Sequence, residues 1–531
     1  MKKVNYLNFC MFSVIAVIVI YMTYSFFAMV SNVTYYSVLA NIQNEPRDFV
    51  QYRIVKSFIE GVNPYKLDSL SGRIPLLYLY TFLQPLCVAG ICKVFGIGII
   101  GGNLAVNIMC IFGTAICIWL IVKDSLSKRI GLLGLFLLLL AVSGTFFSMF
   151  GGVPIFTFRP DALGIFLSSV LLLLIYKFPK RTFIIAFITV MLIHTKQILI
   201  VMALPIFLYY LINDKVLALK YFTSCVIFGI LNIAVLYYIF PLYWGTSIYL
   251  LSGMSSDISK STSNFFWSLK NLVSFCYRYF AFLLMGIIGT IIILHSEKGG
   301  FLEKITKFLA RIKNDYLAFI IMNLLVSLMF LILFFARNGL DGRKYFFDMM
   351  TPSLIIFVIY IWKYIRHRDI ILLFMIAICS LYTWQIFSKI KFDSKDVDNY
   401  ASLYDTIKSY DDGKSQIYLG MVANSYLLDN NNAEKDNIWL NDGQLQFCNK
   451  KPDRFGDYFF LNEIYDAGSK YHQKVNNMVA NKEFSLIIPL WESIINPDIL
   501  EKNYKVIKEI YCVASVGMGL EIKIYVPIEA E

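Results

Sequence analysis

The chain has 531 residues, 58% of them hydrophobic and only 16% charged, with a formal net charge of +12 and a mean hydropathy of +0.63. Soluble domains hold roughly 45–50% apolar and about 25% charged residues, so a chain this apolar lacks the polar surface to face water all round, and part of its solvent is lipid. The basic excess sits in residues 1–390, with 33 Lys+Arg against 14 Asp+Glu, while residues 391–531 carry 15 against 22, a pattern that reflects the sidedness of membrane loops and speaks against nucleic-acid binding.

Taken in order, Lys2 and Lys3 precede an apolar stretch over 9–30. It is longer than a secretory h-region of roughly 7–15 residues and no A-x-A site follows, which predicts a first spanning helix that stays in place. Further apolar segments cover 99–122, 130–147, 161–176, 182–194, 197–212, 220–240, 272–294, 316–336, 351–365 and 370–388. A crossing needs about 20 residues, so the shorter ones must extend into their flanks. A twelfth segment, 75–97, carries Pro75, Gln84, Pro85 and Lys93 and suits a helix lying along the interface. The positive-inside rule agrees. With 75–97 left out of the count, connectors Lys123–Arg129, Lys177–Arg181, Lys215–Lys220, Lys298–Lys313 and Lys363–Arg368 share a side with Lys2 and Lys3, and they hold 16 Lys/Arg against seven on the other side after residue 100. Letting 75–97 cross inverts that bias.

The expected fold is therefore mainly α: a polytopic membrane bundle of about eleven spanning helices plus an interfacial helix over 1–390, with a small C-terminal α/β domain over 391–531. The N-terminus is expected in the cytoplasm. The loop 31–98 and the acidic tail are expected outside, in a multi-pass protein of the cell membrane, most simply the bacterial cytoplasmic membrane. Within the tail, Gln416–Met421, Phe484–Pro489, Tyr504–Tyr511 and Leu520–Val526 have strand-like content, Asp398–Ser409 and Leu461–Ala480 read as helices, and Asp429-Asn430-Asn431-Asn432 reads as a separator. Eight of the ten cysteines sit in apolar segments as packing residues; Cys448 and Cys512 of the tail fit either a pair or two buried thiols. The four histidines are isolated, and there is no zinc spacing, P-loop or dinucleotide fingerprint, so no metal site is assigned.

The first outer loop holds the most informative residues. After Glu45-Pro46-Arg47 a helix can begin, with Asp48 in its first turn. Asp48 and Tyr52 share a face at i, i+4, and Gly61 with Asn63-Pro64-Tyr65 ends the helix. This puts a carboxylate just outside the membrane surface, although the spacing fits an ordinary helix-start carboxylate as well. Two more stretches stand at outer helix starts: Phe158-Arg159-Pro160-Asp161-Ala162 and His194-Thr195-Lys196-Gln197. Taken alone, Arg159 and Asp161 could pair with each other, and Lys196 could snorkel to the interface.

The order and common sidedness of these stretches resemble the GT-C superfamily of integral-membrane glycosyltransferases, in particular enzymes similar to aminoarabinose transferases and protein O-mannosyltransferases. The likeness rests on Asp48, Tyr52, Gly61-Val62-Asn63-Pro64-Tyr65, Lys93-Val94-Phe95-Gly96 and the two later stretches. It covers the first seven helices and reaches the rest only by architecture. Arg337–Tyr345 departs from the pattern, with Lys344-Tyr345 where relatives often carry an Asn-Tyr pair. The resemblance implies a polyprenyl-phosphate sugar as donor and a glycan, glycolipid or protein as acceptor, with a transfer that is metal-independent or assisted by a divalent metal. Asp48 is then the general base. Arg159, Lys196, Arg343 and Lys344, with Arg278 as a further cation, would hold the leaving phosphate. Glu45, Tyr52, Tyr65 and Asp161 would contact substrate.

Three other functions fit less well. A flippase or transporter with an appended outer domain should carry acidic groups in mid-span, and none falls there. A polysaccharide polymerase or ligase should carry its key residues in a large late outer loop, where 241–271 holds a single carboxylate, Asp257. A sensor would not need so many spans to anchor it.

Overall fold

The computed structural model describes residues 2–31, 46–70, 72–73, 81–123, 134–139, 141–142, 158–250, 273, 276–277, 279–312, 315–338, 343–364, 374, 376–382, 394–420, 423–441, 459–489, 494–513 and 519–529. They form a helical body followed by a domain built on one five-stranded sheet.

In the body, helix Ile99–Val122 packs on Asp161–Lys177, Thr182–Leu192 on Lys215–Ile239, and Arg343–Tyr364 on both Phe280–Ser296 and Tyr316–Asn338. Two glycines allow close approaches of an aromatic ring from a neighbouring helix. A β-carbon at Gly113 would lie 2.4 Å from the Phe166 ring, and one at Gly286 would lie 2.7 Å from the Phe357 ring. Hydroxyls inside the body turn back on their own helices: Thr114 donates to Cys110 O, Ser169 to Ile165 O and Thr189 to Ile185 O, each at 2.8 Å. That satisfies them where no water can. Lys215–Ile239 is a peripheral helix. Asp214 caps it by accepting from the amides of Val216 and Leu217, while Phe222, Ile230 and Tyr238 are exposed along it, as expected of a lipid-facing surface.

Two helices, Ile99–Val122 and Lys215–Ile239, are long and apolar enough to cross a bilayer, and the bent pair Phe280–Ser296 with Phe301–Phe308 makes up to three. The expected eleven crossings are thus not present as eleven long helices among the described residues. Other apolar segments form shorter helices: Phe9–Ser25, Leu83–Phe95, Thr182–Leu192, Gln197–Asn213, Tyr316–Phe330 and Met349–Trp362. Part of the reason is local. The run 182–212 is broken by a turn at 193–195 and then a 3-10 segment, Gln197–Met202. The segments 130–147 and 370–388 fall partly outside the described residues.

The segment expected to lie along the interface forms a helix only over Leu83–Phe95, 13 residues. At 1.5 Å per residue it is about 20 Å long, short of a hydrocarbon core near 30 Å. Gly96 ends it in the left-handed region, at φ 65°. Its Gln84, Pro85, Val88, Ala89 and Cys92 are buried, and it packs on Ile99–Val122.

The tail begins with helix Ser394–Tyr410 and continues through strands β1 (Gln416–Gly420), β2 (Ile438–Asn441), β3 (Phe484–Ile488), β4 (Tyr504–Val513) and β5 (Gly519–Pro527). The sheet order is β2-β1-β3-β5-β4, parallel across β2-β1-β3 and antiparallel from β3 through β5 to β4. Ile417 pairs with Ile438 and Leu486, so β1 is central. Its Ile417, Tyr418 and Leu419 are fully buried on both faces, as a covered parallel strand requires. All four expected strands are present. Strand β2 and helix Pro497–Asn503 were not expected: β2 is only four residues long, and the helix is set by the Asn496 cap and Pro497 rather than by an apolar period. The Asn-rich separator is a 3-10 turn, Asp429–Glu434. Next to it, Asp411 ties the end of the first tail helix to the segment before β2. It accepts from Lys435 Nζ at 2.5 Å, from Asn437 Nδ2 at 3.0 Å and from the Tyr426 hydroxyl. Burial pushes its carboxyl up, but these bonds outweigh that and hold it down at about 2.

One buried apolar cluster joins the two parts. Val50, Ile54, Tyr65, Phe82, Phe158, Leu242 and Tyr243 of the body belong to the same core as Leu403, Ile417, Leu440, Ile464 and Ile487 of the tail.

Candidate functional site

The segment expected as the first outer loop, called the outer loop below, forms a helix over Pro46–Glu60. Proline at its first residue costs nothing, since that amide has no helical partner, and Gly61 at φ 75° ends it. Beyond it, Asn63 Oδ1 accepts from the Tyr65 amide at 3.0 Å, while its Nδ2 donates to Ile239 O at 2.6 Å. The Leu242 amide donates to Tyr65 O at 3.2 Å. These bonds fasten the outer loop to the end of helix Lys215–Ile239.

Asp48 is the third residue of this helix, as expected from the sequence. Gln51 follows at i+3 and Tyr52 at i+4, so all three share one face. The Tyr52 ring meets Phe158 edge-on at 5.8 Å. Gln51 is only 3% exposed, and both ends of its amide lack a hydrogen-bond partner among the described residues. A buried amide left open in this way is costly.

The stretches at 158–161 and 194–197 meet. Lys196 Nζ donates to Asp161 Oδ1, and the two side chains are 13% and 4% exposed. Asp161 opens helix Asp161–Lys177, where the positive end of the helix dipole also favours it. Asp161 thus pairs with Lys196, 35 residues away, and Arg159 stands half-buried two residues before it. Beside the pair, His194 Nε2 lies 2.9 Å from Asn232 Oδ1 and Nδ1 lies 2.8 Å from the Tyr243 hydroxyl. With Asn232 Oδ1 as acceptor, Nε2 carries the hydrogen and Nδ1 accepts from Tyr243. The rings of Phe82, Tyr243 and Trp244 enclose His194 at 5.0, 5.6 and 6.2 Å. Thr81 Oγ1 donates to Thr195 O at 2.6 Å, and Gln197 Nε2 donates to Ser247 O at 2.9 Å. Ser247 belongs to the π-helix Trp244–Leu250, a wide turn that often accompanies functional sites.

The remaining candidates are placed as follows. Tyr65 is 1% exposed and packs on Phe240 and Tyr243, both at 5.3 Å, so it forms a wall of the aromatic cluster. Arg343 and Lys344 are the first two residues of helix Arg343–Tyr364. Glu45, Arg278 and Cys448 lie outside the described residues. Among the described residues, no group of three or more His, Cys, Asp or Glu is arranged to hold a metal ion. Sequence reasoning did not single out Gln51, Asn232, Tyr243 or Trp244. The only signal for Gln51 was its place one turn after Asp48, and the other three come together only through folding.

The tail lies against the outer loop. Glu434 receives both Arg53 and Lys56 of helix Pro46–Glu60, the latter at 2.9 Å. Arg73 pairs with Asp436, and the Leu440 amide donates to Arg73 O at 3.2 Å. An open groove of about 920 Å³ runs along this junction, lined by Arg73, Trp439, Lys470, Gln473, Lys474 and Asn477 among others. Burial pushes the Glu434 carboxyl up, but the Lys56 hydrogen bond and the Arg53 charge outweigh it and hold the carboxyl below the usual glutamate range.

No protein-family model matches the chain, and no curated protein matches its sequence.

Proposed function

We propose that the chain is a membrane glycosyltransferase. It moves a sugar from a polyprenyl-phosphate carrier to a glycan, glycolipid or protein acceptor on the extracytoplasmic face of the cell membrane. The observation that carries this is the convergence of three separated stretches: Tyr52 of the Asp48 helix lies on Phe158, and Lys196 reaches Asp161. The four residues are spread from 52 to 196 in the sequence, yet both contacts meet at the 158–161 stretch.

In the proposed step, an acceptor hydroxyl attacks the anomeric carbon of the donor sugar while Asp48 takes its proton. The bond from that carbon to the phosphate oxygen breaks, and polyprenyl phosphate leaves with the electron pair. A single displacement inverts the anomeric configuration. Gln51, on the face of Asp48, would hold the acceptor through its open amide. Arg159, Arg343 and Lys344 would stabilise charge on the leaving phosphate, with Lys196 held nearby by Asp161. The prenyl chain would lie against the apolar helices.

For topology, we infer about eleven crossings, the shorter apolar helices being completed by their flanks. The ion pairs from Arg53, Lys56 and Arg73 to the tail support placing the outer loop and the tail on one side of the membrane.

The test is transfer from radiolabelled polyprenyl-phosphate sugars in membranes, comparing wild type with Asp48→Asn at equal expression. Loss of transfer by about a hundredfold or more, with carrier binding retained, is the expected result. Transfer that survives the substitution would remove Asp48 as base, and no transfer from any donor by wild type would count against the enzyme class.

A further inference from the structure

We propose that helix Phe301–Ile312 is an interfacial anchor that lies flat in the membrane surface and engages anionic lipid headgroups. Helix Phe280–Ser296 ends where Glu297 turns extended and Gly299 takes φ 124°, a conformation that L side chains rarely adopt. The chain then restarts as a helix at Phe301, with its axis turned by 108°. The helix before the turn is apolar and presents Ile287 and Ile291 to its surroundings, 56% and 59% exposed, as a lipid-facing span does. A helix nearly perpendicular to a span runs parallel to the bilayer plane.

The sequence of this helix fits that placement. At 100° per residue, Phe301, Leu302, Ile305, Phe308, Leu309 and Ile312 fall on one arc, and Glu303, Lys304, Thr306, Lys307 and Arg311 on the other. Phe308 is buried against the body at 7% exposed, while Phe301 and Leu302 remain 71% and 77% exposed. The apolar arc is therefore wider than the protein covers. Residues 298–313 carry five Lys/Arg and one acid. Lys307 is engaged by Glu303 at 2.6 Å and by Lys298 O at 2.9 Å. Lys304 and Arg311, seven residues apart, line one flank beside the apolar arc. An apolar arc bounded by a basic flank is complementary to a surface of acyl chains below and negative phosphates above. A protein partner would need its own hydrophobic and acidic patch, whereas the lipid already surrounds the adjoining span.

The test uses the full chain in nanodiscs, with an environment-sensitive fluorescent amino acid replacing Leu302 by stop-codon suppression. Discs contain zwitterionic lipid alone or with phosphatidylglycerol, each with and without bromine on the acyl chains. Brominated lipid should quench the probe, phosphatidylglycerol should deepen that quenching about twofold, and Lys304→Gln with Arg311→Gln should abolish the deepening while leaving some quenching. A water-like probe overturns the proposal. So does a shielded probe that brominated lipid does not quench, which would place protein, such as a second copy of the chain, on this face. Quenching indifferent to phosphatidylglycerol overturns the headgroup assignment. None of these outcomes depends on the glycosyltransferase proposal.

Discussion

Gln51 is the residue whose surroundings ask most for a ligand. A buried amide with no partner costs roughly 1–3 kcal/mol, and it persists here on a helix face shared with the carboxylate proposed as base. Gln51→Leu keeps the volume and removes the unpaired amide. The variant should melt at the wild-type temperature or slightly above it, while kcat/KM for transfer falls about tenfold or more. A variant that melts lower and transfers normally would make Gln51 a packing residue. Asp161 and Lys196 obey the opposite logic. Asp161 is buried and Lys196 half-buried, and their pairing offsets the cost of removing each charge from water. A phosphate arriving here would therefore meet a lysine already shared with a carboxylate.

At the scale of elements, the decisive contact is between the outer-loop helix Pro46–Glu60 and the tail. Glu434 binds two cations of that helix, and its carboxyl lies below the usual range because of them. A group with a depressed pKa in the docked state favours docking fully above its free value of about 4.3 and loses that contribution as pH falls through the lowered value. Amides of Pro46–Glu60 should thus stay protected at neutral pH and lose protection as pH falls through the lowered value of Glu434, after correction for the intrinsic exchange rate. In Glu434→Gln the protection should be weaker at neutral pH and flat across that window. Unchanged protection in Glu434→Gln would mean that the apolar cluster alone holds the tail in place. The break at Gly299 plays a comparable part at the other end of the bundle, since it turns a basic connector into a helix of its own.

For the whole molecule, the charge asymmetry and the contacts of the tail lead to one prediction. With the tail outside, as proposed, a phosphatase reporter fused after Glu529 should be active, and one fused within the basic segment 298–313 should be inactive. Two inactive fusions, or the reverse pattern, would invert the topology and move the proposed site to the wrong side of the membrane. The tail is more than an appendage: its sheet and the outer loop share one buried core, so deleting residues 394–529 should expose Val50, Ile54 and Tyr65 as well as the tail's own partners.

Much of this was open to reading in the sequence, because it depends on composition and short-range period. Apolar runs gave the helical body, Pro46 and Gly61 bounded helix Pro46–Glu60, Gly96 ended helix Leu83–Phe95, and runs of Ile, Val and Tyr marked four of the five strands. Helix lengths were less legible: the break between 194 and 197 showed in the sequence, but not that the chain beyond it starts as a 3-10 segment, Gln197–Met202. Strand β2 escaped because four residues carry too little pattern, and its place beside β1 is fixed only by parallel pairing across the sheet. The site divides in the same way. Asp48, Tyr52, Asp161 and Lys196 stood out by residue type and position. That Lys196 belongs to Asp161, that His194 is held between Asn232 and Tyr243, and that Gln51 is buried with an open amide were decided by the tertiary structure. Local sequence sets which backbone conformations are cheap, whereas partners distant in the chain are chosen only when packing brings their helices together.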